Sequence, residues 1–289
     1  MMNGSPHGAE RNAGTQLPDF AALHPGYGYA WPLCQGRGQM TIVRAMAGIL
    51  ATSALLTNVH AAELKALSGN GARAAIRELV TQFERASGHT VALRFEVNAE
   101  LKRKIEAGET FDVAILNPPV IEDLIKQGKI IAGTRADVGR AGLGVAVRAG
   151  APKPDIGSVE AFKRALLAAK SVAYPGEGAS GVYFAGLVDR LGIAAEMKPK
   201  MRPMPAEDTV EVVARGDADM VVVVASRIYD VEGVDPVGPL PAELQTMIGF
   251  AAALGAAAKE VEAAKALIRF VSAPEAAPTL TAKGVTPAR

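Results

Sequence analysis

The sequence predicts an α/β fold, mixed sheets flanked by helices, from two patterns that recur along it. Apolar runs of strand length alternate with longer stretches whose apolar residues return at helical period, as in a mainly parallel sheet with helices on its faces. No unit repeats at the spacing of a solenoid.

In chain order, strands are expected at 64–67, 91–97, 113–116, 142–147, 171–174, 220–224 and 246–254. Helices are expected between them at 72–87, 99–107, 120–127, 159–169, 182–191, 209–214 and 259–271. The first helix sets Ala75, Ile76, Leu79, Val80 and Phe83 on one stripe that should face a sheet, and Gly88 stands where glycines end helices. In the second, Leu101 and Ile105 form the buried side, while Lys102, Arg103, Lys104 and Glu106 make a solvated face.

Composition excludes several classes of function. The 289 residues are 49% hydrophobic and 21% charged, ordinary for a globular chain that buries one large core or two modest ones. A net charge of +1, with no basic stripe interleaved with aromatics, removes the footprint of a nucleic-acid binder. The single cysteine, Cys34, cannot close an internal disulfide.

The N-terminal part reads as targeting. From Met40 a short segment carrying Arg44 leads into the apolar run 45–56 and then Val59-His60-Ala61, the n-region, h-region and small-residue ending of a signal peptide. Residues 40–61 are therefore expected to be a signal peptide cleaved after Ala61, and the product to be periplasmic. The run is short of the roughly 20 apolar residues of a membrane span. Residues 1–39, rich in Gly and Pro and without periodicity, are read as a non-native or disordered extension upstream of a working start at Met40. Residues 1–61 hold three basic and two acidic side chains, which leaves 28 of each in the remainder.

The motifs then fall in a recognisable order. Leu67-Ser68-Gly69-Asn70-Gly71-Ala72 precedes the first helix; Leu101-Lys102-Arg103-Lys104-Ile105-Glu106-Ala107-Gly108 closes the second. Phe111-Asp112-Val113-Ala114-Ile115-Leu116-Asn117 follows, with Gly178-Ala179-Ser180-Gly181-Val182-Tyr183 and Pro205-Ala206-Glu207-Asp208-Thr209-Val210 further on. In this order they resemble the type II periplasmic solute-binding proteins of ABC transporters, most closely the molybdate-binding branch, over residues 64–285. The resemblance implies a two-lobed fold with two crossing segments, placed near 142–148 and 246–254. Lobe one then holds 62–143 and 249–289, and lobe two 144–248. It also implies a monomer that closes over a small anion and docks an ABC permease, without a cofactor.

The expected cleft lies beyond the carboxyl ends of the strands, where free amides and the positive ends of helix dipoles suit an anion. Four loops fit. The first is Ser68, Gly69, Asn70 and Gly71, and the second is Asn98 with Ala99, where Asn98 also reads as an N-cap. The third is Ala179, Ser180 and Gly181, and the fourth is Thr209, again a possible cap. Asn117, before Pro118-Pro119, can aim its amide inward or serve a turn, and Arg227 can pair a carboxylate bidentately or sit solvated at a strand end. Where the resemblance implies serine hydroxyls from the first two loops and a tyrosine hydroxyl after the late strand, this chain has Gly71, Asn98 or Ala99, and Val224. With those hydroxyls replaced, another oxyanion or a small carboxylate suits the site at least as well as molybdate.

Other classes compete. Gly176-Glu177-Gly178-Ala179-Ser180-Gly181 matches the dinucleotide fingerprint of a Rossmann-type NAD-dependent oxidoreductase, but the next extended segment carries Lys200 and Arg202 and ends without an acid. His7, His24 and His60 precede the expected mature start, so His89 alone remains, which supports neither a metal site nor a Ser-His-Asp arrangement around Ser180. The chain is accordingly read as a non-enzyme. A sensor that signals to a membrane receptor uses the same closing lobes and stands as the alternative to transport.

Overall fold

Residue alternation and helix stripes translate directly into the architecture of the computed structural model, which describes residues 61–288. The expected extension and nearly all of the signal segment, with Cys34, lie outside the described residues. The described residues form ten strands: β1 (Glu63–Gly69), β2 (Thr90–Glu96), β3 (Val113–Leu116), β4 (Ala136–Arg148), β5 (Val172–Pro175), β6 (Met201–Met204), β7 (Met220–Val224), β8 (Val234–Pro239), β9 (Met247–Leu254) and β10 (Thr286–Pro287). Their helices are α1 (Arg73–Ser87), α2 (Asn98–Glu106), α3 (Pro118–Lys126), α4 (Val159–Ala168), α5 (Ala179–Arg190), α6 (Ala194–Met197), α7 (Glu211–Arg215), α8 (Ala225–Ile228), α9 (Val261–Ser272) and α10 (Ala277–Ala282).

The sheet runs β2-β1-β3-β9-β4-β7-β5-β6, with β8 and β10 also paired to β4. The strands that alternate with helices pair in parallel, β1 with β2 and β3, and β5 with β6 and β7. Every pairing of β4, and that of β9 with β3, is antiparallel, so the sheet is mixed, as expected of the fold class, with its parallel pairs confined to the strands that alternate with helices. The physical reason is that the chain passes between the two halves once in each direction, and the two passes lie side by side. This order also differs from that of a doubly wound dinucleotide-binding sheet.

β4 is longer than expected, 13 residues, because it serves both halves. Ala136 to Gly142 pair with β9, whereas Leu143 to Val147 pair with β7. At the change of partner, Gln245 Oε1 accepts from the Leu143 N–H at 2.7 Å and its Nε2 donates to the Leu143 carbonyl at 2.9 Å. A side-chain amide thus completes the ladder where the backbone changes partner. A Cβ on Gly142 would lie 2.8 Å from Gln245 Cδ, so the clamp requires glycine at 142.

Three apolar clusters hold the layers. The stripe of α1, Ala75, Ile76, Leu79, Val80 and Phe83, packs with α9 residues Leu267 and Val271 against β1 and β3. A fully buried leucine or isoleucine there contributes about 1.5–3 kcal/mol. Gly88 ends α1 with φ 74°, donating its N–H to the Glu84 carbonyl, as its position in the sequence implied. The opposite face of the first half buries Leu101, Ile105, Ile121 and Leu124 from α2 and α3. Around β5 and β7, Phe162, Leu166, Phe184, Leu187 and Val188 form the core of the second half. β7, Met-Val-Val-Val-Val, is buried along its whole length, as a strand covered on both faces must be.

Several short elements escaped the sequence patterns: β8, β10, α6, α8 and α10. Each is six residues or fewer, too short to display a period. The helix expected at 209–214 begins instead at Glu211, after a turn through 206–210.

Candidate functional site

Six strand ends and the crossing strand β9 meet around a cavity of about 50 Å³, room for a few waters or a small anion. From the first half come Asn70 and Gly71 after β1, Val97 and Asn98 after β2, and Asn117 after β3. The second half contributes Glu177, Gly178, Ala179 and Ser180 after β5, Ala206 after β6, and Val224 and Arg227 at the end of β7. Ile248 and Phe250 of β9 form one wall.

Asn98 is the centre of the first half's contribution. It occupies the first helical position of α2 and not the cap, which is Val97, so the expected N-cap role is corrected. Its Oδ1 instead accepts from the Asn117 N–H at 2.9 Å, and Asn117 Nδ2 donates to the Gly249 carbonyl of β9 at 2.8 Å. The chain of bonds links the second loop, the third loop and the crossing strand. Close approach needs Gly69, since a Cβ there would lie 2.6 Å from Asn98 Nδ2. Gly71 makes room for the ring of Phe250 in the same way, at 2.7 Å from a built Cβ. The start of α3 offers few donors, because Pro118 and Pro119 have no N–H and Asn117 N is already used.

In the second half, α5 opens directly on the cavity. Gly178 takes φ 91°, which an L side chain rarely adopts, and turns the chain so that Ala179 and Ser180 begin the helix at the cleft. The first bond to the helix start is Val182 N to the Gly178 carbonyl, so the amides before it lack intrahelical acceptors. Gly181 packs rather than lines: a Cβ there would stand 1.8 Å from the Pro175 carbonyl oxygen.

Arg227 is the cationic residue lining the cavity. It is 3% exposed, against the expectation of a solvated strand-end arginine as the alternative. Nη1 donates to Asp230 Oδ2 at 2.6 Å, while Nη2 donates to Glu211 Oε1 at 3.1 Å and lies 3.4 Å from the Ala206 carbonyl. Nε is buried and has no partner. The bidentate edge expected for a ligand is therefore partly occupied by Glu211, and Nε is the buried donor left over.

Of the candidates named from sequence, Asn70, Gly71, Asn98, Asn117, Ala179, Ser180 and Arg227 come together at the cavity. Ser68, Gly69, Ala99, Gly181 and Thr209 are not among its lining residues. The Ser68 hydroxyl is fully buried and bonds the Gly69 carbonyl; Ala99 is exposed on α2; Thr209 is fully buried, its hydroxyl donating to the Pro205 carbonyl at 2.7 Å. Thr209 is therefore no helix cap. Sequence reasoning missed Val97, Glu177, Gly178, Ala206, Ile248 and Phe250 as lining residues. Glu177 and Gly178 carried a signal, the glycine-rich loop ahead of α5; Ile248 and Phe250 carried none beyond lying on an expected crossing segment.

On the second half's surface, Arg215 of α7 donates to both oxygens of Asp208, at 2.8 and 3.1 Å, and this pairing holds the Asp208 carboxyl below the usual carboxylate range. On the first half's surface the hydrogen bond from Lys102 lowers Asp123 in the same way.

Comparison with known proteins adds to this geometry. The family model of bacterial extracellular solute-binding proteins matches residues 64–286. An aconitate isomerase of Pseudomonas sp is 31% identical over 245 residues, 83% of this chain and 93% of that protein. The molybdate-binding protein ModA of Azotobacter vinelandii is 27% identical over 254 residues, 84% of this chain and 95% of its own. The solved periplasmic molybdate-binding protein of the same organism superposes with a TM-score of 0.67 at 19% identity, over 78% of this chain and all of that one, a likeness of fold.

Proposed function

The chain belongs to the bacterial extracellular solute-binding protein family, and on that premise we propose that it captures a small carboxylate anion in the cleft and delivers it to the permease of an ABC importer. The lobes divide at β4 and β9, residues 62–143 with 249–289 against 144–248, where Gln245 clamps the change of partner. Export by the segment 40–61 brings the carrier to the periplasm.

The observation that carries the anion reading is Arg227, buried at the cavity with an unpartnered Nε, the start of α5 lining the same cavity. A buried donor without an acceptor costs on the order of 1–3 kcal/mol, which a ligand oxygen recovers. The preference for a carboxylate over a tetrahedral oxyanion rests on the hydroxyls. Those of Ser68, Thr209 and Ser226 donate to the carbonyls of Gly69, Pro205 and Gly71, so Ser180 is the hydroxyl that lines the cavity. An oxyanion stripped of water needs donors around all its oxygens, whereas a carboxylate needs them at one end and tolerates Val97, Val224, Ile248 and Phe250 around its carbon. The relative named for aconitate, a tricarboxylate, points the same way.

Isothermal titration of the protein with acetate, succinate, trans-aconitate, sulfate and molybdate tests this. Binding of a carboxylate more tightly than either oxyanion is expected; tight molybdate binding with no response to carboxylates overturns it.

A second reading follows from the isomerase relative. An isomerase that shifts a proton on a carboxylate substrate needs a base in contact with carbon, and among the lining residues Glu177 is the side chain able to serve. We favour the carrier because Glu177 is exposed. Incubation with cis-aconitate, followed by proton NMR, separates the two: appearance of the trans isomer with wild type and its loss with Glu177→Gln would establish the enzyme.

A further inference from the structure

We propose that Asp230 is a positioning residue that couples ligand charge to lobe closure, holding Arg227 at the cleft while tying it to α1 of the other lobe. The inference rests on the carboxylate reading for its ligand, but its geometry is independent of it. Asp230 follows α8, at the end of the second lobe's strand β7, and its side chain is 10% exposed. Its Oδ2 accepts from Arg227 Nη1 at 2.6 Å and lies 3.7 Å from Arg73 Nε; its Oδ1 is 3.4 Å from Arg77 Nη1. Arg73 and Arg77 belong to α1, which starts directly after the cleft loop of Asn70 and Gly71. One carboxylate therefore faces three guanidinium groups from both lobes.

The balance of charge gives this arrangement a direction. Glu211 is the second acid on Arg227, so three cations meet two anions and the cluster has one positive charge in excess. Nε of Arg73 and Nε of Arg227 are both buried without a hydrogen-bond partner. An anion received by Arg227 supplies the missing negative charge and competes with Asp230 for that guanidinium. Asp230 is then freed toward Arg73 and Arg77, whose present separations of 3.7 and 3.4 Å leave room to shorten. Ligand binding thereby strengthens the contact that draws the lobes together. The bond from Ser226 on α8 to the Gly71 carbonyl is a further link between the two lobes.

Spin labels at Arg103→Cys on α2 and Lys198→Cys after α6, in a Cys34→Ser background, report the separation of the lobes by pulsed electron resonance. Asp230→Asn is expected to widen the ligand-free distance distribution and to weaken trans-aconitate binding by about tenfold. Arg73→Ala with Arg77→Ala should widen it equally while costing less affinity, since Arg227 stays held. Adding both to Asp230→Asn should widen it no further, and Asp230→Glu should restore closure in part. Unchanged distances in Asp230→Asn, or additive widening in the triple variant, overturn the proposal; circular dichroism confirms that each variant is folded. If wild type ignores trans-aconitate, the carboxylate reading fails, and the ligand-free distances still decide the role of Asp230.

Discussion

The two sides of the cleft are built on different physics. The first lobe presents neutral amides already tied to one another and to the crossing strand, from Asn98 to Asn117 to Gly249. The second lobe presents charge and dipole: the open end of α5 and the buried Arg227 with its two acids. The first is a preorganised surface whose donors cost nothing to orient; the second stores an electrostatic imbalance that a ligand relieves. Recognition of charge is thus expected to reside in the second lobe and positioning in the first.

The comparison is broken most severely at Arg227. Arg227→Ala takes from Glu211 its cation and from Asp230 its shortest bond, and is expected to destabilise the fold by about 1.5–3 kcal/mol and to abolish anion binding. Arg227→Lys should keep the fold and lose most of the affinity; thermal melts and titration calorimetry check both. Next comes Gly181→Ala, whose Cβ would meet the Pro175 carbonyl at 1.8 Å. It should lower stability by about 1–3 kcal/mol by pushing α5 off its strand, seen as a lowered midpoint in urea.

On the first lobe, Asn98→Ala leaves the Asn117 N–H without its acceptor and should cost about 1–3 kcal/mol in stability, with a smaller loss of affinity than Arg227→Lys. An equal or greater loss of affinity would erase the asymmetry between the lobes. The smallest effect is acid-linked. Because Arg215 holds the Asp208 carboxyl low, the pair stabilises the protein above about pH 4, the ordinary aspartate range, and this is lost as pH falls through the lowered value. Both side chains are more than one-third exposed and solvent screens the pair, so Arg215→Ala should lower the urea midpoint at pH 7 less than any variant above, and less still as acid protonates Asp208.

Much of the architecture was legible because it is written in local periods. The stripe of α1 with its Gly88 stop, the apolar run of β7 and the alternation of strands with helices need no knowledge of what lies across the sheet. Seven of the site candidates reached the cavity because they belong to loops that end strands, and such loops gather on one side of the sheet. Within each loop the choice of residue was not legible: Asn70 and Gly71 face the cavity while Ser68 turns to its own backbone, and Ala179 and Ser180 face it while Gly181 packs on Pro175.

By itself the sequence determined the α/β class, the order of the main elements and the loops from which a site could be made, since each follows from apolar spacing and from glycine, proline and capping residues read a few positions at a time. The tertiary structure alone decided that β4 and β9 pair antiparallel as the crossings, that Gln245 clamps their junction, and that Arg227 is buried between Glu211 and Asp230. The Gln245 clamp, for one, joins residues 102 positions apart. Partners at that separation are chosen by the packing of the lobes and leave no local period to read.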